Sequence, residues 1–183
     1  MLKFEILKSK HSVNSQMRNT HPVDPDFVKR VDYLYTLESD YQYNTDRFSS
    51  KLHGISFKNE YLEIICNGPG DVDINVFTNY AWDGCTPKFK AFGVVFGVSD
   101  GPINPETGKP QAYYASMLHD VLYDYSREIA KENGCRISDI LYVADDIFYD
   151  ILRRDGFRRA RLYYWAVRRF GHWRVKIRRR GFN

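Results

Sequence analysis

The chain of 183 residues holds few cysteines, and the three it has, Cys66, Cys85 and Cys135, are odd in number and widely spaced. They form neither the paired Cys-x-x-Cys arrangement of a zinc site nor a disulfide framework, so we read them as reduced thiols. Long apolar runs are missing as well. No stretch approaches the ~20 residues that span a bilayer. The opening residues, MLKFEILKSKHSVNSQ, lack the apolar core and small-residue cleavage site of a secretory signal, which points to a cytoplasmic protein. There is no internal repeat and no low-complexity tract. The sharpest local absence is of acid. From Arg158 to the end stand Arg158, Arg159, Arg161, Arg168, Arg169, Arg174, Lys176, Arg178, Arg179 and Arg180 without one Asp or Glu, so the net charge of +4 is concentrated there. Such a stretch suits nucleic acid, anionic lipid or an acidic partner. Its plainer reading is a solvated helix end, with Arg168 and Arg169 favoured by the helix dipole and Gly171 as the stop.

What is present is enough for a core: 43% of residues are hydrophobic and 16% aromatic, which fits one domain with extensions. Residues 1–50 are polar and interrupted, with HPVDPDF breaking any helix, and read as an arm with one short helix around Phe27 to Leu37. From 52 to 98 the signals are those of strands: KLHGISF, EYLEIIC, a turn at NGPGD, VDINVFTNY and FKAFGVVFGV. From Gln111 the pattern is helical to about residue 170. The expected fold is therefore α+β, a small mostly antiparallel sheet followed by three helices. The domain spans 51–175, preceded by the extended arm and followed by a basic tail over 176–183.

At about 100° per residue, the first helix, Gln111 to Ala130, gathers Tyr114, Leu118, Val121, Leu122 and Tyr125 on one arc, with Ala115 extending it. His119 falls just past one edge and Asp120 about a right angle further. The second helix, with Ser138 as N-cap, gathers Ile140, Leu141, Ala144, Ile147, Phe148, Ile151 and Leu152, leaving Asp145 at the edge and Asp146 on the opposite side. A hairpin of these helices through the NGC turn brings His119 and Asp145 within hydrogen-bond reach, about 2.6 to 3.2 Å. A carboxylate on one ring nitrogen fixes the tautomer and leaves the other to act as a general base, with Asp120 free to hold a divalent cation. A histidine on a helix flank is more often a satisfied structural residue than a catalyst.

WDGCTPKF, YYASMLHDVLYDY, VADDIFYDILRRDGF and RARLYYWAVRRFGHW resemble, in that order, the motifs of a phage and prophage family known as the domain of unknown function number 1353. That family reads roughly D-G-A-S-x-P, A-x-L-H-D-x-L-Y, A-D-x-x-F and an aromatic helix ending V-R-x-x-G. The resemblance covers about residues 75–175 and implies a bacteriophage origin without an established activity. Asp83, His119, Asp120, Tyr123 and Asp145 are the matched polar positions, while Cys85 and Thr86 replace the usual Ala and Ser. The run His119, Asp120 and Tyr123 is also similar to the active-site helix of secreted phospholipases of type A-two and of the parvoviral capsid lipase. That resemblance implies His119 as base, Asp145 steadying it, and Asp120 holding calcium together with carbonyls of a Gly-rich loop; Asp83, from the first resemblance, is a further candidate metal ligand. The Gly-rich calcium loop is not clearly matched, and the disulfides of the secreted enzymes are absent.

Together these features lead to a bacteriophage virion or morphogenesis component whose arm and tail contact neighbouring phage structural proteins or further copies of itself. It would be located in the host cytoplasm during assembly, or in the virion. The competing expectation is a metal-dependent hydrolase, lipase-like or directed at the cell envelope, with His119, Asp145 and Tyr123 catalytic and a divalent cation such as calcium as cofactor. A third class, binding of nucleic acid or a membrane surface, rests on Arg174, Lys176, Arg178, Arg179 and Arg180.

Overall fold

In a computed structural model of the chain, residues 35–48, 52, 54–85, 89–91, 94–96 and 100–171 are described. The central element is a four-stranded antiparallel sheet in the order β2 (Tyr41–Thr45), β5 (Asp71–Val76), β4 (Leu62–Gly68), β3 (Phe57–Lys58). Its register follows from side-chain alternation. Leu62 pairs with Val76 and Ile64 with Ile74, and these with Val72 and Phe57 all turn to one face, none more than 5% exposed. The other face is polar, with Asn44 and Asn67 donating to Asp73 at 2.9 and 2.8 Å and Lys58 donating to Glu63 at 2.8 Å. A slip of one residue would exchange the two faces, so burial sets the register. The β4–β5 turn is Pro69-Gly70, where Gly70 takes a φ of 78° that a side chain would oppose.

Two smaller antiparallel pairs complete the β part: β1 (Tyr35–Thr36) with β6 (Ala81–Trp82), and β7 (Phe89–Ala91) with β8 (Val94–Phe96). The helical part is α1 (Tyr113–Asp124), α2 (Ser126–Glu132), α3 (Ile137–Arg154) and α4 (Ala160–Ala166), the last running into a π-helical turn (Val167–Gly171). The fold is α+β, as expected.

Several boundaries differ from those read in the sequence. The sheet begins before residue 51: β1 and β2 lie in the stretch assigned to the arm, and Leu37 and Phe48 are core residues at 3% and 0% exposure. The short helix around Phe27 to Leu37 is corrected at its end, where Tyr35 and Thr36 are a strand; residues 27–34 lie outside the described set. The first helix is two, broken at Tyr125. The Ser126 hydroxyl donates to the Tyr123 carbonyl at 2.8 Å, the kind of local side-chain bond that bends a helix. α3 starts one residue before Ser138, after extended Arg136, whose guanidinium is held by Asp139 at 2.9 and 3.1 Å.

The helices cover the apolar face of the sheet. Tyr41 stacks on Tyr114 with centroids 4.3 Å apart, and Arg47 grips Asp150 through two bonds of 2.6 and 2.7 Å. α1 is buried on two sides, against α3 and against the strands, which is why Ser116 and Met117 are interior although they fall outside its predicted arc. Trp82 donates its indole N–H to Ser116 at 3.1 Å across that contact. A chain begun at residue 49 lacks β1 and β2, and we expect calorimetry to show no cooperative unfolding transition for it. Ile74→Ala, at a position with no exposed surface, should lower stability by about 2 to 5 kcal/mol in urea unfolding, with the denaturant slope unchanged.

Candidate functional site

His119 and Tyr123 are four residues apart on α1 and so lie on the same face, their rings stacked with centroids 4.1 Å apart. Asp145 and Phe148, three apart on α3, face them, and the Phe148 ring stands 5.2 Å from His119. The imidazole thus has one aromatic ring stacked on it and a second tilted close by. Nε2 is 3.1 Å from Asp145 Oδ1, inside the expected range, and Nδ1 is 3.3 Å from Asp120 Oδ1. Tyr123 donates its hydroxyl to the same Asp145 oxygen at 2.8 Å. Asp145 has no exposed surface, whereas the Asp120 side chain is 29% exposed and that of His119 11%.

Two residues that the sequence reading placed elsewhere join this group. Arg168, expected to point outward at a helix end, turns back through the π-helical turn to stand 3.8 Å from Asp145 Oδ2 and 2.6 Å from Asp146 Oδ1. Tyr164 donates to Asp146 at 2.7 Å and accepts from Arg168 at 2.8 Å. The guanidinium lies over the rings of Tyr142 and Tyr164 at 4.6 and 5.1 Å. The available signals for these partners were the spacing of four between Tyr164 and Arg168 and the adjacency of Asp145 and Asp146. Gly171 closes the cluster: a Cβ there would come within 2.6 Å of the Tyr123 hydroxyl, so the residue read as a helix stop serves a close approach.

The electrostatics follow from the geometry. Burial of the His119 ring works against its charged form, but the hydrogen bonds it donates to Asp120 and Asp145 outweigh it and hold the pKa up at about 9. The ring is then a cation at neutral pH, donating from both nitrogens. Burial, reinforced by Asp145, pushes the Tyr123 hydroxyl far above the usual range, so it remains a donor. For Arg168, burial opposes the charge, and Tyr164 with the two carboxylates restores it.

A protonated imidazole with both nitrogens engaged is a clamp between carboxylates; to act as a base it must lose a proton and Asp120 must turn away. Asp120 accordingly is not the free carboxylate expected from its angular position. Asp83 is half-buried just after β6, and the His119 bonds run to Asp120 and Asp145 and not to it. Among the described residues no group of three or more His, Cys, Asp or Glu side chains is arranged to hold a metal ion. A hard cation such as calcium takes six to eight oxygens, so a site at Asp120 would need further oxygen ligands beside that carboxylate. Residues 86–88, 92–93 and 97–99 are outside the described set, as are Arg174, Lys176, Arg178, Arg179 and Arg180. The three cysteines are free thiols, and Cys85 is buried, with Asp100 accepting its backbone N–H at 2.7 Å. Among the described residues no helix is long and apolar enough to cross a membrane.

Fold and site thus define an α+β domain whose helices are joined by a buried histidine–carboxylate–arginine cluster. No family model, no curated protein and no solved structure matches the chain.

The raised His119 pKa has a definite pH signature. Because the folded value of about 9 exceeds the roughly 6.5 of an unperturbed histidine, the stabilisation is complete below pH ~6.5 and is lost as pH rises through about 9. Its size is on the order of 3 kcal/mol, from the shift alone. Urea midpoints of the wild type should fall between those pH values, and the fall should be absent in His119→Gln.

Proposed function

We propose that the chain is a structural component of a bacteriophage, acting in the virion or in its morphogenesis, and that the His119 cluster locks its helices together. The observation that carries the lock is the placement of the imidazole: 11% exposed, with both nitrogens within hydrogen-bond reach of carboxylates of α1 and α3. The phage assignment is supported by the four ordered motifs that resemble the prophage family, and its partners would be other phage structural proteins or further copies of this chain. Peptide mass spectrometry of particles and assembly intermediates purified from the phage that encodes the chain is the direct test. Its presence at stoichiometric levels is expected, and its absence from both would overturn the assignment.

A second reading, a cation-dependent hydrolase, is favoured by one specific feature. Asp145 Oδ1 accepts both the Tyr123 hydroxyl and the His119 Nε2–H, which fixes the ring as the orienting carboxylate of a general base does. In that reading Asp120, the partly exposed member, would leave His119 and contribute to a calcium site. The two readings separate in a calorimetric titration with calcium, magnesium, manganese and zinc, accompanied by an assay of ester hydrolysis. The lock predicts no heat of binding and no turnover. A binding heat that Asp120→Asn abolishes, together with hydrolysis that increases as pH rises through the His119 pKa, would decide for the enzyme.

A further inference from the structure

The short helix α4 has two faces of opposite character. Ala160 and Tyr163 are buried, and Tyr163 packs edge-on against Phe157 with centroids 4.7 Å apart. On the other side Leu162 and Trp165 are 59% and 58% exposed, among the largest exposed hydrophobic side chains described. At about 100° per residue Arg161, Leu162 and Trp165 fall within an arc of about 100°. Exposed Arg158 and Arg159 precede this arc in the turn, and exposed Arg169 follows it in the π-helical turn. Arg168 belongs to the other side, bound to Asp145 and Asp146. Asp155 is the last acid of the chain, and it pairs with Arg154.

We infer that this face of α4 docks on an anionic lipid surface, with Leu162 and Trp165 entering the headgroup layer and the arginines meeting lipid phosphates. The charge of the face is of one sign, which selects an anionic occupant. Its apolar residues choose among such occupants. A nucleic-acid backbone offers phosphates to the arginines but no apolar layer for an exposed leucine. A bilayer interface presents phosphates above hydrocarbon and accommodates an indole and an aliphatic side chain flanked by cations. Because the opposite face of α4 is held in the core, the helix lies along the surface and needs no folding on contact. This inference is independent of the phage assignment.

Flotation of the full-length protein with phosphatidylcholine vesicles, with and without one part in three of phosphatidylglycerol, tests it. The partition coefficient should be at least about ten-fold higher on the anionic vesicles, fall steeply with salt, and be accompanied by a blue shift of tryptophan emission. The double change Leu162→Ser and Trp165→Ser, at exposed positions, should reduce partition about ten-fold with the melting temperature unchanged. Leu162→Gln alone serves if the double variant is destabilised. The inference is overturned if partition is equal on the two vesicle types or absent, or if it survives both variants, which would assign it to the tail cations alone. Binding of a 30-base-pair duplex that anionic vesicles fail to displace would overturn it in favour of nucleic acid.

Discussion

A carboxylate with no exposed surface must be supplied with donors and positive charge, and Asp145 at the α1–α3 contact imposes that requirement on the whole helical half. Tyr123 and His119 answer it from α1, and Arg168 answers it from beyond α4. Three segments distant in sequence are thereby brought to one point. The order of assembly has a physical logic: the apolar arcs of α1 and α3 supply the burial energy, and the polar cluster at their edge decides which rotation of one helix on the other is acceptable. Removing one partner of such a buried pair costs about 3 to 5 kcal/mol because an uncompensated charge remains. The apolar contacts alone would tolerate several rotations.

The second constraint is the sheet, whose apolar face needs a cover. α1 supplies it while also facing α3, so this helix is enclosed on two sides and carries Ser116 and Met117 inside. Tyrosine makes the junction workable, since its ring packs and its hydroxyl reaches a polar partner. Tyr80 donates to Asp124 at 3.0 Å and Tyr35 to Asp100 at 2.8 Å, while their rings rest on or near Trp82 at 6.2 and 5.5 Å. Asp100 also takes the Cys85 N–H, so one carboxylate ties β1, the loop after β6 and the approach to α1.

How far this was legible in the sequence depended on whether the signal was local. Val72, Ile74 and Val76 alternate with Asp71, Asp73 and Asn75, and the strand and its turn were readable from that period. The meeting of His119 and Asp145 followed from two arcs and a short turn. β2 carries the same period in Tyr41, Tyr43 and Thr45, but its residues are amphipathic, and the polar surroundings led to its assignment to an arm. The break at Tyr125 depends on one hydroxyl choosing a backbone carbonyl, which hydrophobic periodicity does not register. Arg168 stood at helical spacing from Tyr164, but its ion pairs with Asp145 and Asp146 join positions more than twenty residues apart, which local spacing does not register.

The π-helical turn divides the C-terminal arginines into two populations. It carries Arg168 inward to the cluster and leaves Arg169 outside, while Gly171 arrives against Tyr123 with no Cβ to obstruct it. The cluster holds three carboxylates, Asp120, Asp145 and Asp146, against two cations, Arg168 and His119. Loss of the His119 proton would leave Arg168 alone to balance all three, with only Asp120 and Asp146 partly in contact with solvent. The hydrogen bonds to Asp120 and Asp145 keep the imidazole charged despite its burial. The same charge binds Asp120 to the ring, so the availability of His119 as a base and of Asp120 as a cation ligand are one equilibrium and not two.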